Sequence, residues 1–233
     1  MPKDLIDDAS RMTARKGLEL IADYIDKKII GVTFCVFGAR AVGKTELIRA
    51  VRGDNVLLNP GQGPTQPGGT RIGSFDPGIL GRDAHRARKV FDVSGERTAW
   101  ERDWCDIYTR VCPRGILFVA DHGRVEEHRQ ALGFLIDMLQ TNDPFRLFRR
   151  RRPYPRARRR LRALFLVFNK CDIWQGTTCR DDLLAPFAPE IQRIERLIHR
   201  QLPRVQYYVR SCSAKYGDGV REMWKDFVEV MKR

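Results

Sequence analysis

The chain has 233 residues, 42% of them hydrophobic, with 43 Lys and Arg against 29 Asp and Glu for a net charge of +14. That is enough apolar material for one sizeable core, and the length favours a single domain with insertions. Six cysteines with no C-x-x-C pair exclude a disulfide-stapled scaffold, and the lack of any apolar run near 18 residues excludes a membrane-spanning helix.

Residues 1–28 are expected to form an N-terminal helical extension, with an apolar stripe of Ala14, Leu18, Ile21 and Ile25 flanked by charge. Its opening, MPKDLIDDAS, is acidic where a signal peptide would need a basic region. A cytosolic protein is expected, and any membrane contact would be peripheral, through a partner protein or through charge.

From residue 29 to 233 short apolar runs alternate with helical patterns. Strands are predicted at 29–37, 88–93, 115–121, 164–168 and 206–211, as runs apolar on both faces of a mostly parallel sheet. Helices are predicted at 44–52, 98–111, 125–139, 180–201 and 218–231, the last from Val220, Met223, Trp224, Phe227 and Met231 at helical spacing. This alternation predicts an α/β fold, a central sheet with helices on both faces. Residues 53–70 hold five glycines and three prolines and are predicted to be mostly loop.

A basic insertion loop is predicted at 146–162, RLFRRRRPYPRARRRLR, with ten arginines and no carboxylate. Without those ten the chain carries 14 − 10 = +4, so the basicity is local. The segment links the helix at 125–139 to the amino end of the strand at 164–168. In a parallel sheet ligands sit at the carboxyl ends of the strands, so the arginines are expected on the opposite face. With no RNA-binding signature beside it, the Arg149–Arg160 stretch is expected to meet an acidic protein or an anionic membrane in preference to nucleic acid.

The chemistry starts at GARAVGKT, Gly38 to Thr45, which matches G-x-x-x-x-G-K-[ST] between a buried strand and a helix. Backbone N–H groups over Gly38, Ala41, Val42 and Gly43 and the helix start at Glu46 are expected to cradle phosphates. Lys44 would reach the outer phosphates, and the Thr45 hydroxyl would ligate Mg²⁺. Farther on, FNKCD at 168–172 and CSAK at 212–215 each follow a strand. A carboxylate at Asp172 can accept from guanine N1–H and its 2-amino group, a donor pair that adenine lacks.

With these motifs in this order, the chain resembles the small GTPases of the P-loop superfamily, whose base-recognition pattern is N-K-x-D plus S-A-K. The resemblance covers about residues 29–231 and implies a Ras-like fold, GTP and GDP as ligands, and Mg²⁺ as cofactor. It also implies that Asn169 tethers neighbouring loops, that the Lys170 stem lies over the base, and that within Ser213, Ala214 and Lys215 the Ala214 N–H meets guanine O6. FDVSGER, Phe91 to Arg97, resembles the D-x-x-G motif, which implies Asp92 near Mg²⁺ and the Gly95 N–H sensing the γ-phosphate. Within the family DVSGERTAWERDW and ILFVADHGRVEEHRQAL are most similar to the Arf-like branch, as is an extra N-terminal helix.

Two departures bear on hydrolysis. Glu96 stands where the family places a water-orienting glutamine, so catalysis by Lys44, Gly95 and Glu96 is expected to be slow. Arg40 at the third loop position would either obstruct an activator's arginine or supply positive charge in cis. The switch threonine is Thr70 or Thr65; Thr70, 22 residues before Asp92, leaves room for a hairpin and is preferred. Trp100 and Trp104 are read as an effector-facing patch or as core. The resemblance implies a nucleotide switch read by an effector or regulatory protein through 53–70 and 94–106. The alternatives are a GTP-binding scaffold subunit and a ribosome- or RNA-associated GTPase.

Overall fold

The structure is a computed structural model that describes residues 31–57, 69–79, 87–140, 154–176 and 180–232. The helical extension at 1–28, Thr65, and residues 146–153 of the arginine stretch lie outside the described residues.

In chain order the elements are β1 (Val32–Phe37), α1 (Lys44–Arg52), β2 (Thr70–Ile72) and β3 (Ala87–Asp92). A broken helical segment follows: α2 (Arg97–Ala99), a π-helical turn (Trp100–Trp104) and α3 (Cys105–Val111). Then come β4 (Gly115–Ala120), α4 (Val125–Gln140), α5 (Tyr154–Arg160), β5 (Ala163–Phe168), α6 (Cys171–Trp174) and α7 (Arg180–Leu184). A short 3₁₀ turn (Ala185–Phe187), α8 (Ala188–Gln201), β6 (Gln206–Ser211) and α9 (Val220–Lys232) complete the chain.

The six strands among the described residues form one sheet in the order β2-β3-β1-β4-β5-β6. Every pairing is parallel except β2 with β3, an antiparallel hairpin in which Thr70 stands opposite Asp92. β4 and β5 are buried along their whole length, as the unbroken runs GILFVA and ALFLVF require.

Strand alternation distributes the core over two layers. Phe34 and Phe165 point to one side, where Phe227 of α9 meets both rings at 5.7 and 5.1 Å. Phe37 and Phe168 point to the other, against Trp104 at 4.9 Å and Phe187 at 5.1 Å. α1 packs with α9 and α4 packs with α8, so helices cover both faces. Cys35, Cys105, Cys112, Cys171 and Cys212 are free and buried. Burial pushes the Cys105 thiol up to about 11, so it stays protonated at neutral pH.

Two elements differ from the expected pattern. The predicted helix at 180–201 is two helices joined by the 3₁₀ turn, where Pro186 removes a backbone donor. The second half of the expected basic loop is a helix, α5. Ala157 and Leu161, four residues apart, are both fully buried, and they hold α5 against α3 while the arginines between them stay outside.

The arginine helix feeds the amino end of β5, at the opposite end of the sheet from the loop that follows β1. Arg158 and Arg159 line a concavity of about 500 Å³ with Gln201–Val205. Arg162 and Arg204 line an adjoining one of about 380 Å³.

Candidate functional site

At the carboxyl ends of the strands lies a cleft of about 700 Å³, within the size range of small-molecule sites. Arg40, Ala41, Gly43, Lys44, Thr45 and Glu46 form one wall. Ser94, Gly95 and Glu96 close one end of it, and Asn169, Lys170, Asp172, Ala214 and Lys215 the other. Four loops far apart in sequence, those after β1, β3, β5 and β6, thus meet because each follows a strand of the parallel part of one sheet. Val56, Leu57 and Ile173 also line the cleft, and Leu57 and Ile173 are half exposed there, at 51% and 53%. The motifs gave no signal for these three; an apolar rim is legible only once the loops are brought together.

The loop from Gly38 to Thr45 leaves β1 at Gly38, whose φ of +145° lies outside the range of L side chains. A Cβ there would run into the Val119 carbonyl of neighbouring β4. Ala41 and Gly43 also have positive φ, 63° and 84°, so the backbone curls before α1 starts at Lys44. Successive peptide N–H groups in such a curl make an anion-binding concavity. The Lys44 ammonium is buried and bonds back to the carbonyls of Gly38 at 3.1 Å and Ala39 at 2.7 Å. Burial pushes its pKa down to about 8, against the opposing pull of Asp92 and Glu46.

Asn169 joins the two ends of the site. Its Nδ2 donates to the Val42 carbonyl at 2.9 Å, and its Oδ1 accepts the Ala214 N–H at 2.9 Å. The Ala214 N–H, expected to meet a base carbonyl, is here the donor to Asn169 Oδ1. The Asn169 carbonyl in turn accepts from Trp174 Nε1 at 3.2 Å. Ser213 is buried behind the cleft lining and shapes the turn, its N–H donating to Asp218 O and its hydroxyl accepting from the Tyr216 N–H. Asp172 is exposed at the cleft edge, and the Lys215 ammonium stands 4.9 Å over the Tyr216 ring.

At the other end the Thr45 hydroxyl donates to Asp92 Oδ2. These hard oxygen groups, with Thr70 opposite Asp92 in the hairpin register, fit Mg²⁺ in chemistry. Thr70 itself is exposed on the edge strand and does not line the cleft. Glu96 lines the cleft at the start of α2, and Arg40 is exposed at the rim. Trp100 and Trp104 are both core: 4% and 0% exposed, they pack against each other and against Phe134 in tilted and edge-on contacts. No effector-facing aromatic patch exists at that pair.

Sequence motifs also missed a buried polar group behind the cleft. Lys170, at φ 60°, donates to the Ala41 carbonyl at 2.9 Å and to Asp121 Oδ2. The other Asp121 oxygen accepts from the Gly123 N–H at 2.9 Å and from His128 Nε2 at 2.8 Å. The ring nitrogen is the donor, since the carboxylate can only accept. The Asp121–His128 spacing of seven, from a strand end into the next helix, was the available signal.

The fold of the chain is similar to that of the FeoB G-domain from Methanococcus jannaschii, with a TM-score of 0.51 and 17% identity over 89% of this chain and 99% of that one. The fold is that of a P-loop GTPase domain. No family model matches the sequence, and no curated protein does. No helix among the described residues is long and apolar enough to cross a membrane.

Asp121 yields a pH test. Burial pushes its carboxyl up, but the hydrogen bonds from His128 and Lys170 outweigh that and hold it at about 2, below its ordinary 3.8. A depressed carboxyl stabilises the fold above its unfolded value, and that stability is lost as pH falls toward the folded one. Asp121→Asn is expected to lower stability at pH 7 by about 1–3 kcal/mol, since it weakens buried charge-assisted bonds. In urea titrations the gap to the native chain should close as pH drops from 4 to 2; a gap constant with pH would show that the carboxylate charge is not what stabilises this cluster.

Proposed function

We propose that the chain is a Mg²⁺-dependent small GTPase, similar to the Arf-like branch, that binds GTP and GDP and acts as a nucleotide switch. The observation that carries the reading is the Asn169 bridge, which ties the phosphate loop at Val42 to Ala214 and sets Asp172 at the edge of the same cleft. Phosphates would lie on the N–H groups of the Gly38–Lys44 curl and the α1 start, with Lys44 exchanging its carbonyl partners for phosphate oxygens. Asp172 would take the paired guanine donors. Thr45 and Asp92 would hold Mg²⁺, with Thr70 joining them once its edge strand closes over the cleft; bound Mg²⁺ would neutralise phosphate charge. A partner would read residues 53–70 and 94–106.

Guanine preference rests on the Asp172 carboxylate. With labelled nucleotides and Mg²⁺, GTP is expected to bind at least 100-fold more tightly than ATP, as for an acceptor that a bound base covers and that then needs a matched donor (order of magnitude about 10²). Asp172→Asn should turn the preference toward XTP. Comparable affinity for ATP and GTP in the native chain would overturn the reading.

Glu96 supports slow intrinsic hydrolysis, since a carboxylate adds negative charge beside the terminal phosphate and offers no amide donor. In single-turnover assays Glu96→Gln is expected to speed GTP cleavage about tenfold, the size of one modest transition-state contact. Equal rates would mean that this side chain does not position the water. A negligible native rate, unchanged by Glu96→Gln, favours the scaffold reading.

The arginine face is proposed to dock an acidic protein or an anionic membrane, away from the nucleotide, with the chain cytoplasmic or peripheral. Its support is the concave surface formed by Arg158, Arg159, Arg162 and Arg204 at the amino ends of β5 and β6. Serine at Arg149–Arg152 and Arg158–Arg160 should leave GTP affinity within about twofold while abolishing salt-sensitive binding to anionic vesicles or an acidic partner. Loss of GTP binding in a folded variant would show that the arginines reach the nucleotide. Retained partner binding would place the docking surface elsewhere.

A further inference from the structure

The segment Ser94–Gly95–Glu96 passes hard against the phosphate loop. A Cβ on Gly95 would overlap the Ala39 carbonyl group and the Arg40 nitrogen, so only glycine lets the two strands of backbone approach this closely. The backbone there is held from behind by two indoles. Trp104 Nε1 donates to the Ser94 carbonyl at 2.8 Å, and Trp100 Nε1 donates to the Gly95 carbonyl at 3.1 Å.

The two rings come from the π-helical turn, four residues apart on one face of it. Their own positions are fixed by packing. Trp104 is fully buried between Phe37 at 4.9 Å, Trp100 at 5.5 Å and Phe134 at 5.8 Å. Neither tryptophan lines the cleft, whereas Ser94, Gly95 and Glu96 all do. The indoles therefore grip the side of this segment that faces the core.

In a trans peptide the C=O and the next N–H point in opposite directions, and no cis peptide occurs among the described residues. Fixing the Ser94 carbonyl toward buried Trp104 thus turns the Gly95 N–H away from the core and toward the cleft. We infer that Trp104, backed by Trp100, is a positioning residue that aims the Gly95 N–H at the terminal phosphate, and so sets how strongly the site prefers a nucleoside triphosphate over a diphosphate. The inference rests on the proposed guanine-nucleotide reading. On that reading a diphosphate would end short of Gly95, so the clamp would act on triphosphate affinity alone.

Trp104→Phe keeps an aromatic ring in the stack and removes only the donor; Trp100→Phe does the same for the second bond. The experiment measures affinity of the full chain for labelled GDP and for a labelled non-hydrolysable GTP analogue, with Mg²⁺, after circular dichroism has checked the fold. The expected result for Trp104→Phe is about tenfold weaker binding of the GTP analogue, one oriented hydrogen bond to a charged group, with GDP affinity within about twofold. Trp100→Phe should shift the same ratio in the same direction by less, and it carries the test if Trp104→Phe does not fold. A merely structural tryptophan would weaken both nucleotides together, and that outcome, like an unchanged ratio in both variants, overturns the inference. Should the native chain bind neither nucleotide, the guanine-nucleotide reading falls first and the clamp with it. A native chain that binds both, with an unchanged ratio in the variants, removes the clamp alone.

Discussion

One buried amide holds the cleft in shape. Asn169 is 2% exposed, and its two ends meet partners of fixed polarity: the Val42 carbonyl can only accept and the Ala214 N–H can only donate. The amide has a single satisfied orientation, and it spans loops that follow β1, β5 and β6. Aspartate in its place would set an oxygen against the Val42 carbonyl, and a shorter side chain would leave both backbone groups buried without a partner, a cost of about 1–3 kcal/mol for each. The parallel sheet brings the loops to one edge, but this amide sets their spacing.

Around that bridge the structure uses backbone conformations that a relaxed chain avoids. Gly38, Ala41, Gly43 and Lys170 all have positive φ, and all lie in the loops that follow β1 and β5. Non-glycine residues such as Ala41 and Lys170 pay a conformational cost there, offset by what the curl provides: N–H groups turned toward one concavity, and an ammonium at Lys170 tied to both the Ala41 carbonyl and Asp121. Lys44, bonded to the carbonyls at the root of the same loop, holds that concavity in shape with a positive charge already at its base.

Much of this was legible in the sequence because it is written in short, position-locked signals. All five predicted strands form, since runs such as LFLVF have no polar face to offer solvent, and Thr70 starts the edge strand of the hairpin that its distance from Asp92 allowed. What was not legible depends on contacts between distant residues. The helix α5 was hidden because Ala157 and Leu161, its buried face, are outnumbered by arginines that charge counting sees first. The bond from the Ala214 N–H to the side-chain Oδ1 of Asn169 is of that kind, since 45 residues separate the two and only the fold brings them together. Likewise Trp100 and Trp104 could not be told apart from a surface patch by spacing, since an exposed pair and a core pair share the i, i+4 pattern.

The same tryptophans explain why the helical segment after β3 departs from regular geometry. A regular α-helix from Arg97 to Val111 would have to carry Trp100 and Trp104 to the indole positions that reach Gly95 and Ser94 while also delivering Ile107 and Tyr108, both buried, to the sheet. The extra residue of the π turn shifts the register once between these two demands, one set by the cleft and one by the core. The irregularity thus lies where backbone at the rim of the cleft is fastened to the aromatic core between the sheet and α4. Any rearrangement of Ser94–Gly95 must break bonds to buried indoles, and so is transmitted to Phe37 of β1 and Phe134 of α4. Packed cores respond to such a displacement by moving between discrete arrangements rather than by deforming smoothly, which is the property a two-state element requires.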